Sequence, residues 1–174
     1  EVGVSVDCLP LLDVRREGAH DVIGNRALGD EPMQVAALGR AVLEGLAAGG
    51  VCGVVKHMPG HGRAGADSHV ELPVVEASAE ELEADLAPFR ALAGAPMAMT
   101  AHVLYRAWDA DNCATVSPTV IGEVIRGEIG FAGLLMSDDL TMEAMSGPPG
   151  ERARSAVAAG CDVALHGSGR LDDT

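Results

Sequence analysis

Short apolar runs alternate with amphipathic helical segments along the whole sequence, and this alternation constrains the fold more than any other feature. The apolar runs, of which the first two are rich in β-branched residues, span residues 3–9, 51–56, 97–103, 134–137 and 162–165. Helical segments lie between them, at residues 33–48, from residue 78 onward, and at residues 117–127 and 151–159. Strands that alternate with helices form right-handed βαβ units around a parallel sheet. The sequence therefore predicts an α/β fold.

The second helical segment has the most complete start signal. Ser78 is followed three residues later by Glu81, a pairing typical of a capping box at a helix N-terminus. Leu82, Leu86 and Phe89 then recur at helical spacing. We expect these three side chains to face the core.

Charged or polar residues stand near the end of nearly every apolar run, as at Asp13, Lys56 and Asp138. In a TIM-type barrel the active site is built from the C-terminal ends of the strands. The sequence has no Gly-x-Gly-x-x-Gly after its first run, which disfavours a doubly wound nucleotide-binding sheet. The five units with polar strand ends fit a TIM-type barrel, and a doubly wound open sheet is the main alternative.

Residues 56–69 concentrate titratable side chains in a loop. Lys56, His57, His61, Asp67 and His69 all fall within these fourteen positions. Proline and glycine between the first two histidines make a helix improbable there. A turn does not need this density of titratable groups, which favours a functional loop.

The charge balance and the cysteines exclude several classes of protein. With 26 acidic and 12 basic residues the formal net charge is −14, which argues against nucleic acid or an anionic membrane as partner. No apolar stretch reaches the roughly 18 residues of a membrane span, and no signal peptide is visible. The four cysteines are scattered without Cys-x-x-Cys spacing, so we expect free thiols.

The loop also carries a family resemblance. Lys-His-x-Pro-Gly-His-Gly from Lys56, followed by Asp67-Ser68-His69, resembles the signature of glycoside hydrolase family 3, specifically its bacterial β-N-acetylhexosaminidases of peptidoglycan recycling. Further blocks similar to that family occur in its order at residues 9–14, 23–26, 99–103 and 137–140. The resemblance thus extends from about Val2 to Leu165, and it implies a TIM-type (β/α)8 barrel. Five strands cannot close such a barrel, so residues 1–174 would be an incomplete portion of about five βα units within one catalytic domain, with about three strands missing.

The resemblance implies a retaining glycosidase. Such an enzyme needs a carboxylate at one face of the sugar and a proton donor near the leaving oxygen. Asp138 matches the family's nucleophile, His69 its acid/base and Asp67 the partner of that histidine. A histidine, with an unperturbed pKa of about 6.5, can give and retrieve a proton near neutrality. Asp139 is expected to point to the other side of the strand and to be structural.

Arg26, Lys56 and His57 match family positions that bind the substrate. Met58 stands where the family commonly has an aromatic residue, so fine substrate contacts differ. Three other polar residues are expected either to line the site or to support it through hydrogen bonds, and the sequence leaves both readings open. They are Asp13, His61 and His102.

The function implied is removal of terminal β-linked N-acetylglucosamine from peptidoglycan-derived muropeptides. We expect a cytoplasmic monomer without cofactor or metal, whose partner is the carbohydrate substrate, N-acetylglucosaminyl-anhydromuramoyl peptides. The chain begins without Met, which suggests a piece of a longer protein, and we expect the isolated piece to be inactive. Alternatives are a phosphorylase of the same family, a sugar-binding module, and a metal-dependent barrel hydrolase. The last would use as ligands His57, His61, His69, His102 and Asp138.

Overall fold

The computed structural model describes residues 3–170. Its strands are β1 (Val6–Asp7), β2 (Cys52–Met58), β3 (Val74–Val75), β4 (Met97–Thr100), β5 (Leu104–Tyr105), β6 (Leu134–Asp139) and β7 (Val163–Leu165). Its helices are α1 (Pro32–Ala48), α2 (Ala79–Ala91), a π-helix (Val120–Glu128) and α3 (Pro149–Ala159), with 3-10 turns at Gly24–Arg26 and Ala114–Val116. None of the helices described is long and apolar enough to cross a membrane.

Five strands form one parallel sheet in the order β1-β2-β4-β6-β7. These are the five predicted apolar runs, and their order along the chain is their order in the sheet. Helices connect successive strands, so the sheet is part of a barrel and the predicted incomplete TIM-type architecture of about five βα units is confirmed. Because all five strands run the same way, their C-terminal ends lie along one edge.

A second, two-stranded ladder joins β3 to β5 in parallel. Strand β3 belongs to the connection that follows β2, and β5 belongs to the one that follows β4. Both therefore lie on the side of the sheet where β2 and β4 end. The sequence did not predict this ladder, because two-residue strands carry no periodic signal. It ties the connection that contains the histidines to the one that follows β4.

The first strand differs from the prediction. The sequence predicts a buried strand over residues 3–9, but β1 spans only Val6–Asp7, and Val4 and Val6 are 54% and 44% exposed. Within residues 3–170, β1 pairs with β2 alone and has no neighbour at its other edge. Apolar sequence indicates a buried strand, but burial itself requires covering elements on both sides.

The capping box of α2 is confirmed. Ser78 Oγ accepts a hydrogen bond from the Glu81 N–H at 3.3 Å, and the Glu81 carboxylate accepts from the Ser78 N–H at 2.8 Å. Leu82, Leu86 and Phe89 are fully buried, as their spacing predicts. These three side chains fix α2 against the hydrophobic core.

A helix also forms between β5 and β6, where residues 117–127 predict one, but its hydrogen bonding is that of a π-helix. Ser117 Oγ accepts a hydrogen bond from the Val120 N–H at 3.0 Å and so caps its start. The spacing of apolar residues over nine positions does not distinguish a π-helix from an α-helix.

Candidate active site

The C-terminal ends of β2 and β6 and the loops beside them enclose a cleft of about 140 Å³. Five of the six predicted site residues line it, namely Arg26, Lys56, His57, His69 and Asp138. The sixth, Asp67, is hydrogen-bonded to His69. A larger and more apolar pocket lies at the opposite end of the sheet, against Val51 and Pro96, far from these groups. The structure therefore brings the predicted site residues together at the edge where parallel strands end.

Alternation along β6 separates its three polar residues. Ser137 Oγ accepts a hydrogen bond from the Leu165 N–H of β7 at 2.9 Å. Asp139 Oδ1 accepts from the backbone N–H groups of Thr141 and Gly167, both at 2.9 Å. Burial acts to raise the pKa of Asp139, but these hydrogen bonds outweigh it and lower the pKa. Asp139 is thus engaged with backbone, as expected, although it borders the cleft together with Asp138.

The Asp138 carboxylate has few partners of its own. Its Oδ1 accepts a hydrogen bond from the Asp139 N–H at 2.9 Å. No side chain among the residues described donates to it, and the residue is only 9% exposed. A largely buried carboxylate with open lone pairs can approach an electrophilic carbon in the cleft without first breaking an ion pair.

Asp67 and His69 form an exposed pair. The Asp67 Oδ1 atom lies 2.7 Å from His69 Nδ1 and also accepts from the His69 backbone N–H at 2.9 Å. The His69 hydrogen bonds, that from its backbone N–H first, lower the pKa of Asp67. Because a carboxylate only accepts, the contact places a proton on His69 Nδ1. The His69 side chain is 63% exposed, and its Nε2 is left available for other chemistry.

Ser68, between those two residues, faces inward. It is buried, and its Oγ lies 3.3 Å from His61 Nε2. Its carbonyl accepts a hydrogen bond from the Ala144 N–H at 3.2 Å. Side-chain and main-chain contacts therefore anchor the loop at its centre while Asp67 and His69 remain on the outer side.

Asp13 supports the site from beneath. It is fully buried and accepts three hydrogen bonds, from the His57 N–H at 3.1 Å, from His57 Nδ1 at 2.7 Å and from the His61 N–H at 2.7 Å. These donors lower the pKa of Asp13, although its burial acts the other way. With Nδ1 held by Asp13, His57 presents Nε2 to the cleft. The open choice for Asp13 is settled as support.

His61 lines the cleft but is almost completely enclosed. Burial first, and then the neighbouring His57, lower the pKa of His61 to about 4. The ring is therefore neutral near pH 7. Its Nδ1 is buried and makes no hydrogen bond within residues 3–170, whereas Nε2 contacts Ser68.

The alternative set of metal ligands is not assembled. His102 is buried with both ring nitrogens engaged, Nδ1 by Thr115 Oγ1 at 2.7 Å and Nε2 by the Asp139 carbonyl at 3.0 Å. His57 Nδ1 is held by Asp13. Across the described part of the chain, no three His, Cys, Asp or Glu side chains are grouped so as to hold a metal ion.

The sequence did not reveal Asp85 as a supporting residue. It lies in α2, is 1% exposed, and accepts hydrogen bonds from Arg63 Nε at 2.5 Å and Arg16 Nε at 3.3 Å. Arg63 belongs to the histidine loop, so α2 holds that loop through a partly buried ion pair. A signal was present, because Asp85 interrupts the inward stripe of leucines on its helix.

The histidine loop passes very close to the backbone after Asp13. A Cβ at Gly62 would lie 1.8 Å from the Val14 carbonyl oxygen, whereas one at Gly65 would meet nothing within 4 Å. We expect Gly62→Ala in the complete protein to lose about 1–3 kcal/mol or more of unfolding free energy and to impair turnover. Gly65→Ala should stay within about 0.5 kcal/mol of wild type. Equal thermal stability of the two variants would contradict this packing.

Comparison with known proteins gives a consistent result. The family model described as "Glycosyl hydrolase family 3 N terminal domain" matches residues 1–172. A β-hexosaminidase of Alkalilimnicola ehrlichii is 48% identical over 168 residues, which cover 94% of this chain and 48% of that protein. A β-hexosaminidase of Aromatoleum aromaticum is 44% identical, with 94% and 47% covered. The chain thus spans about half the length of these relatives.

Solved structures agree in fold. A glycoside hydrolase family 3 β-N-acetylglucosaminidase from Paenibacillus superposes with a TM-score of 0.90 at 40% identity, over 94% of this chain and 32% of that one. NagZ from Neisseria gonorrhoeae, in complex with N-trifluoroacetyl-D-glucosamine, gives 0.84 at 43% identity, over 94% and 48%. The family model, the sequence identities and the structural superpositions agree. The chain therefore belongs to glycosyl hydrolase family 3, within its N-terminal domain.

Proposed function

We propose that the complete protein is a retaining β-N-acetylhexosaminidase, with Asp138 as nucleophile and His69, oriented by Asp67, as acid/base. One observation carries the proposal. The little-engaged Asp138 carboxylate and His69 of the Asp67–His69 pair line the same cleft at the C-terminal edge of the sheet. That is the pair of groups a two-step displacement at a sugar carbon requires. The relatives named β-hexosaminidases support the reaction class.

In the first step Asp138 attacks the anomeric carbon and forms a glycosyl ester while the bond to the leaving oxygen breaks. The protonated His69 gives its Nε2 proton to that oxygen. In the second step the neutral His69 takes a proton from water, whose oxygen attacks the same carbon and releases Asp138. Asp67 stabilises the imidazolium and keeps Nδ1 protonated throughout.

The substrate we propose is a terminal β-linked N-acetylglucosamine on peptidoglycan-derived muropeptides. Lys56, His57 and Arg26 border the cleft with hydrogen-bond donors suited to sugar hydroxyls. Within residues 3–170 the Lys56 ammonium makes no hydrogen bond, which leaves it available. The similar NagZ structure holds N-trifluoroacetyl-D-glucosamine, a sugar with an acylated 2-amino group. By the same family likeness we propose action as a cytoplasmic monomer without a cofactor.

Turnover of aryl glycosides tests the proposal. The complete protein should release the aryl group from a β-N-acetylglucosaminide and should cleave the matching β-glucoside far more slowly. Good cleavage of the β-glucoside with none of the N-acetylglucosaminide would contradict the substrate assignment. Full activity after dialysis against EDTA is also expected, and its loss would favour the metal-dependent alternative.

A phosphorylase of the same family is the second candidate, because a neutral histidine repels an incoming phosphate less than a carboxylate does. Reactions in phosphate and in an inert buffer of equal ionic strength separate the two. A hydrolase should show the same rate in the two buffers and should release free N-acetylglucosamine in each. A sugar 1-phosphate formed only in phosphate would identify the phosphorylase.

A further inference from the structure

A buried polar chain lies beneath Asp138 and takes no part in the chemistry proposed above. Thr100 at the end of β4, Thr115 in a 3-10 turn and His102 between them are all fully buried. Thr100 Oγ1 lies 2.8 Å from Thr115 Oγ1, which lies 2.7 Å from His102 Nδ1. The chain is connected from one residue to the next without a gap.

Both ends of the chain reach the backbone of the Asp138-Asp139 segment. The Asp138 N–H donates to Thr100 Oγ1 at 3.3 Å. At the other end, His102 Nε2 lies 3.0 Å from the Asp139 carbonyl oxygen. Three side chains from residues 100–115 thus hold the backbone at both Asp138 and Asp139.

This support occurs where the sheet provides little of its own. The β4–β6 ladder runs through the pairs Met97 with Leu134 and Met99 with Met136, and it stops before Ser137. On the other side, the β6–β7 register shifts between Met136 and Asp139. Asp138 therefore lies beyond one ladder and within an irregularity of the other, where ordinary strand pairing does not fix its backbone.

The donors and acceptors can be assigned by counting protons. The Asp139 carbonyl can only accept, so His102 Nε2 carries a proton. Burial lowers the pKa of His102 although the nearby Asp138 charge acts to raise it, so the ring is neutral and Nδ1 is an acceptor. Thr115 then donates to Nδ1, Thr100 donates to Thr115, and Thr100 accepts from Asp138. All the hydrogen bonds along the chain of hydroxyls run in one direction.

A second arrangement of the protons would have a different signature. Thr115 Oγ1 is also 3.1 Å from the Ala101 carbonyl oxygen. If Thr115 donated there, His102 would have to donate from Nδ1 as well and would be a buried cation. Burying such a charge with no carboxylate in direct hydrogen-bond contact is strongly unfavourable, which favours the first arrangement.

We propose that Thr100, Thr115 and His102 are positioning residues that fix the backbone of the nucleophile through this directed hydrogen-bond chain. The kinetic consequence rests on the proposed function, whereas the direction of the chain does not. Because reacting atoms must be held within a fraction of an ångström, a small displacement of Asp138 should slow the covalent step more than it weakens substrate binding.

Thr115→Val in the complete protein tests the role, since it removes the hydroxyl and nearly keeps the shape. We expect kcat to fall at least about tenfold with KM changed less than about twofold. Thr115→Ser, which restores a hydroxyl, should recover most of kcat. Thr119→Val is the matched control, because the Thr119 hydroxyl makes no capping hydrogen bond, and it should behave as wild type. Wild-type kcat in folded Thr115→Val, or no recovery in Thr115→Ser, would overturn the proposal.

Nitrogen NMR of the histidine-labelled wild-type protein tests the chain directly and needs no variant to fold. We expect His102, assigned by its loss in His102→Gln or by its contacts to Thr115, to be neutral and protonated on Nε2 alone at pH 7. A doubly protonated ring or an Nδ1–H tautomer would overturn the assigned direction. An inactive wild-type protein with the expected His102 signal would instead contradict the proposed function and leave the hydrogen-bond chain standing.

Discussion

Asp138→Asn in the complete protein is expected to abolish turnover of every glycoside, by about 10⁴-fold or more in kcat, whatever the leaving group. The amide has the shape of the carboxylate but cannot form the glycosyl ester. Steady-state rates with an aryl glycoside and with a disaccharide measure the effect. Asp139→Asn should differ and keep most of kcat, because Asp139 accepts from two backbone N–H groups through one oxygen and the amide oxygen of asparagine can still accept both.

The acid/base role gives a contrasting pattern. His69→Ala should slow cleavage of sugar leaving groups by about 10²–10⁴-fold, and that of an acidic phenol much less, because the phenolate departs without protonation. His20→Ala is the control for loss of an exposed imidazole that acts electrostatically on Asp67 without lining the cleft. The His20 Nδ1 accepts from the Val22 N–H, and both rates should stay near those of wild type. Equal losses for the two kinds of leaving group would contradict proton donation by His69.

The second large effect is structural. Asp13→Ala leaves three buried donors of His57 and His61 without their acceptor, so we expect it to cost about 3–5 kcal/mol of unfolding free energy. Denaturant unfolding of the complete protein measures it. Turnover should fall as well, because His57 loses the group that orients its ring.

Asp21→Ala is the matched control for Asp13→Ala. Asp21 is 89% exposed, and its contact with Arg15 at 3.7 Å is a surface ion pair. Such a pair contributes about 0–1 kcal/mol, so the variant should unfold almost like wild type. Similar unfolding free energies for the two variants would show that Asp13 does not hold the site together.

Much of the fold could be predicted because it depends on local patterns. Apolar runs give the strands of a parallel sheet, and the capping box at Ser78 gives the start of α2. Arg26, His57 and Asp138 are far apart in the sequence, yet they meet because parallel strands end along one edge. The site follows from the topology once the alternation of strands and helices is recognised.

The supporting residues could not be assigned in this way. Asp13 contacts groups 44 and 48 residues away, and Asp85 contacts Arg16 across 69 residues, so their roles depend on tertiary packing. The exposure of β1 depends on which elements cover it. The directed chain through Thr115 depends on the positions of individual protons, which no sequence pattern specifies.

Covalent trapping tests the central claim most directly. A fluorinated N-acetylglucosaminyl substrate that forms the glycosyl–enzyme rapidly and hydrolyses it slowly should inactivate the complete protein. Mass spectrometry of the digested enzyme should then find one sugar on the peptide that contains residues 137–140, attached to Asp138. Attachment to Asp139 or Asp67, or rapid turnover of the same reagent with no labelled peptide, would contradict the assignment of Asp138 as nucleophile.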